Sequence, residues 1–486
     1  MPYRVRVDGT VATQVISVSY DKPDSGGIGE ATIEAGNTQP NRDLFEAGAT
    51  VTVETPDPDN PNVYLKDWVG EVTSKPSNAS KDNLTLTVSA EGSSTALEYG
   101  TVDRPFIEVT NSELIEKAVA EQADPNKNTI QIHEGQTTTG WSHNLQDFEL
   151  MDSATDVIQV GDNALYFGFR AGGTGTYFAE YTDFSGIPAK RLERIETRLL
   201  IADKGDNFDG FVYVVDDAGV EYKWELPLAG RAETRTYELP VEDADITTDN
   251  DHPAGTLRYE FVTDGNIPDE RAFMIDSASA ITFETVDRDT NITTNVVPTS
   301  GETTRRLTGS ILEIADRLST EDGYTAYVDE DNVLNYKPSG SESFDIPIDE
   351  DAGTPAVVDF EVDRDFNVTN VVTIQGKGDI RETFESSQSI EFYGSRSPKP
   401  DAIDDPSIRT FEQAKRRARG YLQDNAFDDG AITITVADER FKKVEPGTLL
   451  SVTWSSENID GEYVVYSVGR TDVGYVTLSL SGNVSL

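Results

Sequence analysis

Val, Ile, Leu and Thr recur at alternate positions along much of this chain, and that period dictates the fold class. Val15-Ile-Ser-Val-Ser-Tyr20, Thr50-Val-Thr-Val-Glu54, Leu84-Thr-Leu-Thr-Val88, Ile432-Thr-Ile-Thr-Val436 and Val476-Thr-Leu-Ser-Leu480 are bounded by Gly, Asn, Asp and Pro. A period of two puts one face of each segment on a core and the other in water, the mark of half-buried antiparallel strands. Helix signals are few. Thr110-Asn-Ser-Glu113 is a capping box opening a short helix with Leu114, Ile115, Ala118 and Val119 on one face. A second helix is expected over about 305–319, burying Leu307, Ile311, Leu312, Ala315 and Leu318. A third opens at Thr410, with Gln413 completing a second box, and carries Phe411, Ala414, Ala418, Tyr421 and Leu422.

At 486 residues the chain is too long for one core. Texture changes mark the breaks. Residues 1–105 read as one β unit, and 106–144 hold the first helix and a strand. Residues 145–290 are aromatic and Gly-rich with no helix signal, which reads as a β-only insert. The interrupted helix-bearing unit resumes over 291–355, with the hairpin Tyr324-Thr-Ala-Tyr-Val328, turn 329–332 and Val333-Leu-Asn-Tyr336. A last β unit spans 356–486 with the third helix, 408–424, embedded in it.

The two ends echo one another. Phe45-Glu-Ala-Gly48-Ala-Thr-Val-Thr-Val53 precedes Trp68-Val-Gly70-Glu-Val72 and then Leu84–Val88. Val444-Glu-Pro-Gly447-Thr-Leu-Leu-Ser-Val452 precedes Ile459-Asp-Gly461-Glu-Tyr463 and then Val476–Leu480. Two related small barrels would explain this, and so would any two antiparallel meanders.

Formal charge is −48, from 88 acidic and 40 basic residues. Self-repulsion on that scale opposes a compact state at ordinary ionic strength. In molar salt the screening length falls to about 3 Å, so the surface stays soluble and the fold tolerable. With 36% hydrophobic and 9% aromatic residues the chain is not a disordered polyanion, and the excess acid reads as adaptation to high salt. The same charge makes nucleic acid an unsuitable partner. Met1-Pro-Tyr-Arg-Val-Arg-Val7 is an alternating strand rather than a signal peptide, and no apolar run reaches the about 18 residues of a membrane span. A soluble protein made in the cytoplasm is expected.

Chemistry is scarce. The chain has no cysteine, which excludes disulfides and thiolate ligands. His133, His143 and His252 lie far apart without metal-ligand spacing. No nucleophile elbow, P-loop or dinucleotide fingerprint is present. Asp216-Asp217 and Asp404-Asp405 carry little information among 88 acids and read as solvated turns. Asp203–Gly210 misses the EF-hand spacing and reads as a loop. No enzyme, cofactor or metal is expected. Two features stand out instead. Lys415, Arg416, Arg417 and Arg419 form the densest basic run and are candidates for an intersubunit or intramolecular contact with acidic surface. The insert is dense in aromatics, most of them expected in its core; Trp141, Tyr177, Tyr181, Tyr222 and Trp224 are the candidate glycan platform, since aromatic faces stack on sugar rings while acids and amides take the hydroxyls.

Taken in order, these pieces resemble the tail hub proteins of tailed phages, the late-control-D-like family. The residues that carry the likeness are Leu307–Tyr336, Asn367-Val-Thr-Asn-Val-Val-Thr-Ile-Gln-Gly376, Gln388-Ser-Ile-Glu-Phe-Tyr-Gly394, Ile408-Arg-Thr-Phe-Glu-Gln-Ala-Lys-Arg-Arg-Ala418, Val444-Glu-Pro-Gly447 and Gly461-Glu-Tyr463-Val. The insert resembles a carbohydrate-binding-module-like jelly roll, from Phe148-Glu-Leu-Met-Asp-Ser to Phe273-Met-Ile-Asp276-Ser-Ala-Ser-Ala-Ile-Thr-Phe283; its usual acidic pair is reduced to Asp276, which argues against bound calcium. The resemblance implies a mostly β fold with a minor α component: two small β-barrels at the chain ends, a helix-hairpin domain between them and an inserted β-sandwich. It implies a non-catalytic virion protein of a halophilic archaeal virus, a homotrimer whose two barrels per chain give six similar positions at the tail tip. Its partners would be tail tube, distal tail and tape-measure proteins, with host surface glycan at the insert. The rivals are a haloarchaeal cell-surface or secreted glycan-binding protein and a tail-associated glycosidase.

Overall fold

The computed structural model describes residues 3–23, 29–57, 60, 62–74, 85–124, 127–151, 163–169, 175–182, 184, 186–188, 191–202, 208–216, 219, 221–226, 233–246, 253–263, 271–288, 291–353, 355–362, 368–376, 380–396, 402–405, 408, 411–426, 432–457, 459–471 and 474–482. The chain is mostly β, built almost wholly of antiparallel sheets, with few helices.

The alternating segments fold as strands, and one continuous sheet joins both ends of the chain. Its first half comprises β1 (Arg4–Val7), β2 (Val15–Pro23), β3 (Glu30–Gly36), β4 (Thr50–Pro56), β5 (Tyr64–Ser74) and β6 (Thr85–Gly92), ordered β1-β4-β5-β6-β3-β2. The run curls round one core that includes Val18, Ile33, Phe45, Val51, Trp68 and Val88. Helix α1 (Gln39–Leu44) connects β3 to β4. Tyr3 Oη donates to the Ile16 carbonyl (3.2 Å) across the seam between the end strands.

Next come β7 (Thr101–Val109) and α2 (Asn111–Ala120). Both hydrogen bonds of the Thr110/Glu113 box form, and Leu114, Ile115, Ala118 and Val119 are buried. A short ribbon, β8 (Glu121–Ala123) against β20 (Thr285–Asp287), leads into and out of the insert. Between them a sandwich packs two antiparallel sheets round one core. The first sheet holds β9 (Asn128–His133), β11 (Asp147–Met151), β12 (Ala164–Phe169), β14 (Leu192–Ala202), β17 (Glu233–Pro240) and β19 (Arg271–Thr282). The second holds β10 (Trp141–His143), β13 (Gly175–Tyr181), β15 (Phe208–Asp216), β16 (Glu221–Leu226) and β18 (Pro253–Thr263). The insert therefore begins earlier than the expected 145: β9 pairs with β19, and β10 with β13.

The helix expected over 305–319 is half strand. β21 (Thr303–Ser310) pairs with β7, burying Leu307, and α3 (Ile311–Asp322) starts only at the Ser310/Glu313 capping box. A helix cannot begin before its cap, so the cap overrides the apolar spacing upstream. Gly323, at φ +68°, closes α3. The hairpin of β22 (Tyr324–Val328) and β23 (Val333–Pro338) follows as expected.

The sheet's second half comprises β24 (Val357–Val362), β25 (Ile432–Val436), β26 (Thr448–Trp454), β27 (Ile459–Thr471) and β28 (Val476–Gly482), ordered β26-β27-β28-β25-β24 round its own core. Helix α4 (Phe411–Asn425) buries Ala414, Ala418 and Leu422 but leaves Phe411 half exposed. Its expected cap, Thr410, lies outside the described residues. It crosses the end of α3 at Gly420, where a β-carbon would overlap the Thr320 carbonyl oxygen. Gly420→Ala should therefore cost at least the ~1–3 kcal/mol of an overpacked core, read as a lowered unfolding midpoint in a urea titration at high salt.

Candidate assembly interface and ligand surface

The two halves of the continuous sheet meet where β2 pairs with β27: Ser19 faces Thr471, Tyr20 faces Arg470 and Lys22 faces Val468. Charges are buried at this joint. Lys22 Nζ lies 2.9 Å from Glu445, 3.1 Å from Glu330 and 3.7 Å from Asp67. Arg470 contacts Asp67 through Nη1 and Glu445 through Nη2 (3.5 Å), and donates to the Val444 carbonyl (3.2 Å). The Tyr20 hydroxyl donates to Asp67. Lys22, Asp67 and Arg470 are all at most 7% exposed. Burial pushes the Tyr20 phenol up to about 12, holds Arg470 below its ordinary value and raises Glu445, whose rise Lys22 opposes. The cluster draws on the first half-sheet, the second half-sheet and the hairpin turn carrying Glu330.

The end-to-end echo is a repeat of register. In the first half β4, β5 and β6 form a meander flanked by β3 and then β2; in the second β26, β27 and β28 do so, flanked by β25 and then β24. Val51 faces Gly70, which faces Gly92; Leu450 faces Tyr463, which faces Gly482. Ile33 faces Val88 and Val18; Ile434 faces Leu478 and Phe360. Two β-bulges coincide, one at Val15/Ser17 and Val357/Asp359, the other at Val72/Ser74 and Val465/Ser467. Bulges mark individual positions in a strand, so two shared ones fix the equivalence. Gly48 and Gly447 hold φ +83° and +80° and donate to Val72 and Val465. The sequence echo aligns Gly70 with Gly461; register moves that pairing by two residues, to Gly70 with Tyr463, and beyond a β-bulge at Asp67 that the second repeat lacks it matches Lys66 with Asp460.

The candidate aromatic platform does not assemble as expected. Tyr181, Tyr222 and Trp224 are buried in the sandwich core, and Trp224 Nε1 donates to the Pro240 carbonyl (2.6 Å). Trp141 and Tyr177 are half-buried and pack against the same core. Alternation puts Tyr222 and Trp224 on one face but does not say which face is wet. The opposite face of that sheet carries Phe178, Phe211 and Tyr213 between cations: Lys223 Nζ lies 3.9 Å from the Phe211 ring centre, and Arg258 lies 5.0 Å from Phe178 and 5.5 Å from Tyr213. Tyr213 Oη donates to Glu260 (3.1 Å), and Glu180 pairs with Arg258 (3.5 Å).

The basic run is largely satisfied within the chain. Arg416 Nη1 donates to Ser300 (3.0 Å), Arg417 lies 3.9 Å from Asp405, and Arg419 donates to the Ser339 carbonyl (3.3 Å) with its stem against Gly323. Arg419 thus packs on the Gly323 cap of α3, whereas Arg416 and Arg417 tie α4 to the segments at Ser300 and Asp405. Lys415 is half-buried. Asp276 is buried and lies 3.6 Å from Arg198. Among the described residues no group of three or more His, Asp or Glu is arranged to hold a metal, and no helix is long and apolar enough to cross a membrane. His252, Asp217, residues 203–207 of the Asp203–Gly210 loop and Asn367 lie outside the described residues.

No family model matches the chain, and no curated protein does. Among solved structures it is similar to the 43 kDa tail protein of prophage MuSo2 from Shewanella oneidensis, at 11% identity over 99% of this chain and 97% of that one, with a TM-score of 0.48. Prophage tail protein gp18 from Listeria monocytogenes EGD-e aligns at 10% identity over 100% and 96%, TM-score 0.45. A family 11 carbohydrate-binding module from Clostridium thermocellum aligns at 8% identity over 32% of this chain and 95% of its own, TM-score 0.24.

Removing Arg470 leaves Asp67 and Glu445 short of a buried partner, so Arg470→Ala should lose ~3–5 kcal/mol in chemical denaturation. His133 supplies a pH test. It is buried among Trp141, Tyr181 and Tyr259, and burial pushes its imidazole down to about 3. Between about pH 6.5 and 3 the unfolded chain binds a proton that the folded chain refuses. This stability is full above the unfolded value and falls as pH drops, by ~1.4 kcal/mol per unit. Unfolding midpoints between pH 8 and 5 should show that loss, and His133→Phe should flatten it.

Proposed function

We propose that this chain is a structural, non-catalytic subunit at the tail tip of a tailed virus that infects a halophile, assembling as a homotrimeric ring that caps the tail tube. The observation that carries this reading is the joint. Two repeats of one fold are connected head to tail, an edge strand of the first against the free end of a central strand in the second. Head-to-tail contacts are heterologous, and a heterologous contact that closes gives a ring. Three copies with two repeats each would supply six similar positions to a tube. The ordered motifs resembling tail hubs support the same reading, and the charge of −48 suits assembly in molar salt.

On this reading the chain is divided into two ring-forming repeats near its ends, a helix-hairpin unit that backs their joint, and a sandwich held outward. The sandwich is fixed rather than tethered. Arg288, just past the ribbon, donates Nε to the carbonyls of Ala118 and Glu121 (2.9 and 3.0 Å), and buried Glu193 gathers Lys127, Arg194 and Arg306 at 2.6, 2.9 and 3.4 Å. Its cation-flanked aromatic face, where half-buried Phe178 and Phe211 lie beside Arg258 and Lys223, is the surface we assign to host glycan in place of Tyr181, Tyr222 and Trp224. The rival is a glycan-binding protein of a haloarchaeal surface, for which the same face would serve on a monomer.

Light scattering on the purified chain at about 3 M salt separates the two. A mass of three chains is expected; a monomer at every concentration tested would overturn the ring and favour the rival.

A further inference from the structure

Where α4 lies against the helix-hairpin unit, its basic run borders a cavity of about 50 Å³. Arg416 and Arg417 border it from α4, Thr303 and Arg305 from β21, and Glu321 and Asp322 from the end of α3. Donors there outnumber the acceptors that reach them. Arg305 gives Nη1 to Glu321 (2.6 Å) and Nη2 to Asn111 Oδ1, yet its Nε has no partner. Arg416 gives Nη1 to Ser300 (3.0 Å) and leaves Nε unused. Arg417 Nε comes no closer than 3.9 Å to Asp405, and the Thr303 hydroxyl is unused as well.

Among the described residues fifteen buried side-chain polar atoms lack a hydrogen-bond partner, and these four belong to the border of one cavity. No carboxylate of that border is among the fifteen. Glu321 accepts from Arg305, and Asp322 accepts from Asn111 (2.9 Å) and Tyr336 (2.7 Å). Guanidinium N–H groups held from water without an acceptor carry the full cost of desolvation. A site with unused donors and no unused acceptor suits a ligand that only accepts, which is an anion. The volume admits a small ion rather than an extended organic acid. At the rim stands Gly301, at φ +91°, where a β-carbon would come within 2.8 Å of Arg416 Nη2 and 2.9 Å of Gln413 Nε2.

We propose that this cavity binds one chloride ion, held by the Nε groups of Arg305, Arg416 and Arg417, and that the ion clamps α4 to the helix-hairpin unit. Salt then acts on the chain in two ways. All ions screen the surface of net charge −48, and chloride alone fills one internal site. This inference is independent of the tail reading.

The test is urea unfolding of the full-length chain at one fixed, high sodium concentration, with chloride progressively replacing glutamate, an anion too large for the cavity. A ligand that binds only the folded state raises stability with the logarithm of its concentration above Kd. Measured against Arg416→Gln and Arg417→Gln, in which the site is broken, the wild-type midpoint should show that logarithmic rise. Arg440→Gln, which removes an exposed partner of Asp438, should retain it. Crystals of the wild-type chain grown with bromide in place of chloride give a second reading that needs no variant. Anomalous density is expected beside Arg305, Arg416 and Arg417. No density there overturns the site. Density with equal chloride dependence in all four chains means an adventitious ion only, and overturns the clamp.

Discussion

Two cations, Lys22 and Arg470, are held out of water between carboxylates at the junction of β2 and β27, and the rest of the molecule is arranged so that they can be. Desolvating charges costs several kcal/mol each unless partners are close and geometry is fixed. Here partners come from three places at once: Asp67 from the first half-sheet, Glu445 from the second and Glu330 from the hairpin turn. The full set of partners is present only when all three bodies are seated. The strand pairing from Ser19 to Pro23 gives the joint its direction, and the buried charges make any other docking of the two repeats expensive.

The same logic fixes the peripheral parts. α4 crosses α3 where Gly420 permits backbone contact, and Arg419 wraps the Gly323 cap of α3. The sandwich hangs from a two-strand ribbon, yet Arg288 ties that ribbon to the end of α2 and Glu193 ties the sandwich to β21 through Arg306. A surface carried on such a mount keeps its orientation to the repeats, which suits a part that must face outward from an assembly. These contacts pair an arginine with backbone carbonyls or carboxylates, so Arg288, Arg306 and Arg419 serve internal geometry in an acidic chain.

What was legible in the sequence follows from how local each signal is. The strands at 15–20, 50–54, 432–436 and 476–480 and the capping box at Thr110 depend on neighbours two to four residues away, and all appear in the fold. The second helix was misjudged over 305–310 because Leu307 fits both a helical stripe and an inward strand position, and only the Ser310 cap decides between them. The insert's start was misjudged because β9 and β10 are short and find their partners about 150 and 40 residues downstream. Tyr222 and Trp224 were named for a glycan platform and lie instead in the sandwich core, because which side of a sheet meets the other sheet is a tertiary fact. The echo of the two ends was visible, yet its glycines were aligned two residues out, since Gly70 lies beneath Trp68 while its equivalent is Tyr463. The joint itself was invisible: among 88 acidic residues nothing distinguishes Asp67 and Glu445 until two distant strands pair.

The central claim, that a head-to-tail pair of repeats is one third of a closed ring, is tested most directly by electron microscopy of the chain purified at high salt. The account predicts class averages with a central opening, six similar inner densities and three outer lobes, one for each sandwich. Averages showing two-fold dimers, open filaments or isolated chains would contradict it.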